Sequence, residues 1–222
     1  MTQRFATADL FADIDAGFAA RDELAPGACV LRGFARTNAA AILAALEAIV
    51  ARASFRHLVT PGGFSMSVGM TNCGALGWVS DHHGYRYAPH DPATGQPWPP
   101  MPDVFVELAT RAAREAGYER FSPDACLINR YLPGTRLTLH QDRNEHDLSQ
   151  PIVSVSLGVQ AIFLFGGLTR AEKQVRVGLM HGDVVVWGGQ SRLCFHGVLP
   201  IKEAHHPLTG NCRINLTFRN VR

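Results

Sequence analysis

From Ala125 to Arg219 the chain reads as short apolar segments punctuated by Gly and Pro, and this pattern limits the fold more than any other feature. Strands are predicted near 125–132, 136–141, 152–158, 161–166, 174–180, 183–187, 193–198 and 212–219. Turn signals fall at Pro133-Gly134, Gly166-Gly167, His181-Gly182-Asp183 and Gly188-Gly189. Eight short strands at this spacing predict a double-sheet jelly roll, in which two sheets wrap a lumen. The longest uncharged run, residues 152–169, approaches membrane-spanning length but contains Ser154, Ser156, Gln160 and three Gly. Its alternation of Val153, Val155 and Leu157 with serines is strand periodicity, so no membrane partner is expected.

The first half is mixed. Residues 1–26 are weakly patterned and read as a loosely docked arm or a short helix. Ala28 to Phe34 reads as a strand, and Thr37 or Asn38 then caps a helix to about Ala53 with Ile42, Leu46, Ile49 and Val50 as its buried stripe. Thr60-Pro61-Gly62-Gly63 turns the chain into a short strand pair around Met66–Met70, and residues 81–102 read as loop. A second helix is expected from about Asp103 to Ala116, stopped at Gly117, with Val104, Phe105, Leu108 and Ala112 on one face. The expected class is α+β, a double-stranded β-helix (jelly roll) core with flanking helices. Five widely spaced Cys without a CxxC, and no apolar signal run before the first acids, lead us to expect reduced thiols and a cytoplasmic protein.

One strand pattern carries chemistry. His140 and Asp142, at i and i+2 on a predicted strand end, point to the same face. H-x-D alone is weakly specific, but His196 lies on a late strand that a jelly roll can set against the early one. Two His and one carboxylate leave open coordination positions, as in non-haem Fe(II) oxygenases. His181-Gly182-Asp183 is a decoy of the same form; its central Gly and the Val184–Trp187 run that follows read as a turn feeding a core strand. In Arg213–Arg219 the odd positions are polar and the even ones apolar, and Asn129 and Tyr131 form a second polar stripe. Polar stripes beside a metal triad suggest a small anionic cosubstrate held by an Arg fork. Composition fits this: of 21 cations 19 are Arg, and the net charge of +2 conceals a first half of 8 cations against 10 anions and a second half of 13 against 9.

The set N129-x-Y131, H140-x-D142, H196 and R213-x-N215-x-x-x-R219 resembles the AlkB family of Fe(II)- and 2-oxoglutarate-dependent dioxygenases, which oxidatively dealkylate nucleobases. Thr60-Pro61-Gly62-Gly63, Met70-Thr71-Asn72-Cys73-Gly74, Leu76-Gly77-Trp78, Pro123–Tyr131, Pro151–Gly158 and His181–Gly189 extend the likeness from about Cys29 to Arg219. The resemblance implies Fe(II) on His140, Asp142 and His196, dioxygen as co-reactant, and 2-oxoglutarate on Asn129, Tyr131, Arg213, Asn215 and Arg219. Arg213 would take the distal carboxylate and Arg219 the metal-chelating end. It implies an arm, strand and supporting helix over residues 1–53, an N-terminal nucleotide-recognition lid over 54–95 and the dioxygenase core over 96–222. Thr60, Met70 and a stacking Trp78 would meet the base, Tyr85, Arg86 and Tyr87 the adjoining backbone, and Arg170 the base pocket or nearby strand. The implied activity is demethylation of 1-methyladenine and 3-methylcytosine in single-stranded or duplex DNA, with RNA a further candidate, by a monomer.

Two departures stand out. Asn144 occupies the position of a family Asp, so an amide able to donate as well as accept would read the base edge. Phe64 replaces the usual Tyr. On the residues alone, a hydroxylase of a small molecule or protein and a non-catalytic lesion-binding jelly roll are the rival readings. Stimulation of succinate formation by methylated oligonucleotides separates the first from DNA repair, and loss of turnover in His140→Ala separates the second.

Overall fold

The computed structural model describes residues 20–222. In chain order the strands are β1 (Arg21–Ala25), β2 (Ala28–Leu31), β3 (Arg56–Val59), β4 (Ser65–Gly74), β5 (Gly77–Asp81), β6 (Gly84–Ala88) and β7 (Ala125–Tyr131). There follow β8 (Leu137–His140), β9 (Ile152–Gly158), β10 (Ala161–Phe165), β11 (Val175–Leu179), β12 (Val184–Trp187), β13 (His196–Val198) and β14 (Arg213–Arg219). The helices are α1 (Ala39–Arg52) and α2 (Asp103–Glu115). Eight strands form one sheet in the order β1-β2-β12-β9-β14-β7-β4-β3, four form a second in the order β11-β10-β13-β8, and β5 and β6 make a separate hairpin. This is the expected α+β jelly roll.

Alternation along β14 explains the layering. Ile214, Leu216 and Phe218 enter a core with Ile42, Leu46 and Ile49 of α1 and Phe105, Leu108 and Ala112 of α2. Each of the large apolar side chains in this set stabilises the fold by about 1.5–3 kcal/mol. Val153, Val155 and Leu157 of β9 join the same side, which leaves Ser154 and Ser156 facing the lumen with the odd residues of β14. The inter-sheet side holds a second core with Phe163, Phe165, Val185 and Trp187. Every residue of β14 is buried, so its polar face looks into the lumen between the sheets rather than onto the outer surface.

Several local expectations are corrected. Residues 21–25 form a strand rather than an arm or helix, while residues 1–19 lie outside the described part. The strand expected over 28–34 ends at Leu31. Neither Thr37 nor Asn38 caps α1 through its side chain. Asn38 already has helical angles (φ −96°, ψ −5°) at the end of a 3-10 turn, Arg36–Asn38, so it cannot fold back as an extended N-cap does. The pair around Met66–Met70 is ten-residue β4 laddered to β3 and β7. Residues 84–88, expected as loop, are β6, joined to β5 across His82-His83, which carry no turn signal. Residues 193–195 lie outside β13, following the 3-10 turn Gly189–Ser191, although Phe195 still exchanges backbone bonds with Gly166 and Gly167. Gly117 ends α2 as expected: at φ 93° it lets Tyr118 N–H donate to Ala113 O at 2.8 Å. Asp183 acts as the turn former anticipated, accepting from Met180 N–H at 2.9 Å.

Candidate metal centre and its cavity

His140 ends β8, His196 opens β13, and the two are register partners across the small sheet with ring centroids 4.4 Å apart. Gly197 permits this approach, since a Cβ there would lie 2.8 Å from Leu137 O on β8. Each imidazole is oriented by the carbonyl two residues before it: His140 Nδ1–H donates to Thr138 O at 2.9 Å and His196 Nδ1–H to Cys194 O at 3.0 Å. Both Nε2 lone pairs are thereby aimed inward, as metal-ligating histidines require. Asp142 lies 3.8 Å from each Nε2, through Oδ1 to His140 and through Oδ2 to His196. Two N/O ligands at about 2.1 Å from one ion are at most about 4.2 Å apart, so these separations suit a shared cation. Among the described residues this is the one His/Cys/Asp/Glu group with metal-ligand spacing.

Electrostatics favour the ligating protonation states. Burial, reinforced by His140, pushes His196 down to about 4, so it is neutral at pH 7. Burial alone would raise Asp142, but Arg219 and the two imidazoles outweigh it and hold the carboxyl well below its usual range. Arg219 donates to Asp142 Oδ2 from Nε at 3.0 Å and from Nη2 at 2.5 Å.

Deeper in the lumen Arg213 is the exception to ordinary burial. It is 1% exposed, donates from Nη2 to Ser156 Oγ at 2.9 Å, and lies 5.0 Å over the Tyr131 ring. Its Nε and Nη1 have no partner, and Asn129 Oδ1, on the same cavity, has none either. Asn215 faces Asn129 across the β14–β7 ladder and donates to Ser154 Oγ at 2.8 Å and Val155 O at 2.9 Å. A buried guanidinium without a counter-charge is strongly unfavourable, so this corner fits the carboxylate of a bound dicarboxylate.

One cavity of about 740 Å³ joins Arg213, the triad and Arg219 to the surface. Thr60, Met70, Trp78, Tyr85, Asn144 and Arg170 line the same cavity. Trp78 and Tyr85 stack with centroids 5.6 Å apart and 13° between planes, and Arg170 lies 5.0 Å over Phe195 while donating to Leu139 O. Arg86 and Tyr87 are not brought there; they line a smaller cavity of about 390 Å³ behind the hairpin, with Asn144 and Tyr85 on the partition. Arg86 is engaged by both oxygens of Asp81 at 2.8 Å, and Tyr87 Oη donates to Glu145 Oε1 at 2.6 Å. Burial, against the pull of Arg219, raises the Tyr87 phenol well above its ordinary range and keeps it a donor.

Four contributors escaped the sequence. Asn72 clasps the Trp78 peptide, accepting from its N–H and donating to its carbonyl, both at 3.0 Å. Glu145 and Arg192 are buried in segments without periodicity. Trp187 was visible as a core residue, but its orphaned Nε1 beside His196 was not.

A jelly roll with this triad and an unpaired arginine in its lumen defines an Fe(II)- and 2-oxoglutarate-dependent oxygenase, and residues 27–219 match the 2OG-Fe(II) oxygenase superfamily. The alpha-ketoglutarate-dependent dioxygenases AlkB of Salmonella typhimurium and Escherichia coli are each 56% identical over 213 residues, covering 96% of this chain and 97% of theirs. The solved structure of OsALKBH1 superposes with a TM-score of 0.79 at 31% identity, covering 90% of this chain and 100% of that one. The chain belongs to the AlkB family of this superfamily. It is a dioxygenase that uses Fe(II), 2-oxoglutarate and dioxygen. Among the described residues no helix is long and apolar enough to cross a membrane.

Proposed function

We propose that the protein removes N-methyl groups from bases of the 1-methyladenine and 3-methylcytosine type in DNA, single strands foremost and RNA as a further substrate, acting as a monomer in the cytoplasm. The observation that carries this reading is that a stacked aromatic pair, a metal triad and an unpaired arginine share one cavity. Residues 54–95 act as the lid over the base. His140, Asp142 and His196 hold Fe(II), which with 2-oxoglutarate and dioxygen supplies the oxidation of the methyl carbon, giving formaldehyde, succinate and carbon dioxide.

The chain's own residues bind and orient. Arg213 takes the distal carboxylate of 2-oxoglutarate through its free Nε and Nη1, with Tyr131, Asn129 and Asn215 shaping the corner. Arg219 steers the other end toward the metal. Trp78 and Tyr85 stack on the base, Thr60 and Met70 close the lid side, and Arg170 fixes the opposite wall; base–aromatic stacking is worth about 1–3 kcal/mol per base. Asn144 has a free amide at the cavity mouth and reads the base edge. Taking a base out of a duplex costs a few kcal/mol, which makes single strands the easier substrate. The test is anaerobic loading with Fe(II) and 2-oxoglutarate, then oxygen, with mass spectrometry of 1-methyladenine, 3-methylcytosine and 1-methylguanine oligonucleotides. Replacement of methyl by hydrogen supports the reading, and unchanged mass on all three refutes it.

A further inference from the structure

Behind the hairpin lies a buried ionic chain that ends at the metal triad. Tyr87 of β6 donates its hydroxyl to Glu145 Oε1 at 2.6 Å, a length typical of charge-assisted bonds. Glu145, with 2% of its side chain exposed, also accepts from Arg192 Nη2 at 2.9 Å and lies 3.4 Å from Arg219 Nε. Arg219 in turn grips Asp142 Oδ2. Arg192 holds the backbone of the same segment, donating from Nη1 to Asp142 O at 2.7 Å and from Nε to Gln150 O at 2.9 Å.

The hairpin that carries Trp78 and Tyr85 belongs to neither large sheet, and a two-stranded hairpin is marginal by itself. Besides packing Val79 on Ala53 and Trp98, it is held by a few polar tethers: the Asn72 clasp, Ser80 Oγ on Val59 O, Trp98 Nε1 on Ala88 O, and Tyr87 on Glu145. Only the last reaches the metal end.

We propose that Glu145 is a positioning residue, coupling the hairpin to the metal and cosubstrate site through Tyr87 on one side and Arg219 with Asp142 on the other. Loading of the site draws on Arg219, which orients Glu145 and tightens its hold on Tyr87; a base seated against the hairpin acts on Asp142 by the same links in reverse. Such coupling is reciprocal and spans about fivefold or more in affinity. The assignment of the slot to a base rests on the function proposed above, whereas the link itself is measurable without nucleic acid.

The experiment compares wild type with Tyr87→Phe, which removes one hydroxyl and keeps the ring. In the absence of oxygen, Mn(II) and 2-oxoglutarate are added and amide hydrogen exchange is followed over residues 77–88. Wild type should slow its exchange about fivefold or more on loading, and Tyr87→Phe should bind both ligands yet show little change. In a second arm, with Fe(II), oxygen and a methylated oligonucleotide, succinate formed per formaldehyde released should rise in Tyr87→Phe, because cosubstrate turnover no longer registers the seated base. Glu145→Gln should show the same loss of loading-dependent protection. Equal protection on loading in wild type and Tyr87→Phe overturns the proposal. So does a Tyr87→Phe hairpin that exchanges faster in both states with the succinate-to-formaldehyde ratio unchanged, which marks a purely structural tether. If wild type releases no formaldehyde but its hairpin responds to Mn(II) and 2-oxoglutarate, the function reading fails and the coupling stands.

Discussion

Arg192 and Arg213 are both buried, 3% and 1% exposed, yet their replacement by Met should have different consequences for the metal-free protein. Arg192 is satisfied by Glu145 Oε2, Asp142 O and Gln150 O. Its removal takes from Glu145 one of its two guanidinium neighbours and leaves Oε2, Asp142 O and Gln150 O without their donor, at a cost of about 3–5 kcal/mol. Arg213→Met deletes one bond to Ser156, worth about 1.5–3 kcal/mol from a charged donor, and a cation–π contact worth about 1 kcal/mol. Against that, it removes two orphaned buried donor atoms at about 1–3 kcal/mol each. The opposing contributions nearly cancel, so Arg213→Met should sit within about 1 kcal/mol of wild type. At about 2–4 °C per kcal/mol for a domain of this size, Arg192→Met should lower Tm by about 6–20 °C and Arg213→Met by less than about 4 °C. Adding 2-oxoglutarate at about a hundredfold its Kd, with Mn(II) fixed, should stabilise wild type by about 2.7 kcal/mol and Arg213→Met hardly at all. Thermal denaturation with and without ligand measures all of this. If Arg213→Met unfolds as readily as Arg192→Met, or still gains stability from 2-oxoglutarate, the argument that Arg213 awaits an anion is wrong.

Asn144→Asp should shift the lesion ranking toward bases with an exocyclic amine, since a carboxylate accepts but cannot donate; an unchanged ranking in the mass-spectrometric assay refutes the role given to the amide. Gly197→Ala places a Cβ 2.8 Å from Leu137 O, so it should push β8 from β13, destabilise by about 1–3 kcal/mol and weaken Mn(II) binding in calorimetric titration. Wild-type metal affinity in that variant would show that the close approach is not needed. Burial, then His206 and Arg36, lowers the His181 pKa, and its neutral Nδ1 accepts from Gly158 N–H at 3.0 Å. The unfolded chain therefore takes up this proton first, so the contribution is complete above about pH 6.5 and is lost as pH falls through the depressed folded value. The stability difference between wild type and His181→Asn, from urea melts, should shrink with acidification; a pH-independent difference would remove His181 as the cause.

The legible part of the sequence was the part governed by periodicity. β7, β9 and β14 alternate because one face meets the helices and the other the lumen, and that alternation located Asn129, Tyr131, Arg213, Asn215 and Arg219. The triad was legible because the H-x-D spacing keeps Asp142 within reach of His140 even though β8 ends at His140 and Asp142 lies just beyond it, and the topology returns His196 as the register partner of His140. What escaped depends on contacts that leave no period. Arg86 meets Asp81 because the register pairs Asp81 with Gly84 across a turn of two histidines. Glu145 and Arg192 meet across 47 residues from two irregular segments. The extent of β4 was hidden because its first three residues reach the surface while Val68–Cys73 are all buried, so no single alternation runs through it.

Three guanidinium groups, Arg192, Arg213 and Arg219, are buried around two carboxylates, Asp142 and Glu145. That leaves one positive charge, and Arg213 is the group without a partner. Lysine would not serve in these places: Arg192 donates in three directions at once and Arg219 through two nitrogens to one carboxylate, which a single ammonium cannot do without losing the fixed plane. The scarcity of Lys in the sequence is therefore consistent with the demands of this site. A divalent metal and a dicarboxylate carry equal and opposite charge, so loading leaves the lumen's excess charge unaltered while it relocates the anion to Arg213. The field offered to an approaching strand should be nearly the same before and after loading, and what loading changes is geometry at the hairpin. The salt dependence of oligonucleotide binding should then be equal for the metal-free protein and for the form carrying Mn(II) and 2-oxoglutarate, with only the affinity at fixed salt differing. A salt slope that steepens on loading would mean that charge, rather than the position of Trp78 and Tyr85, links cosubstrate to base.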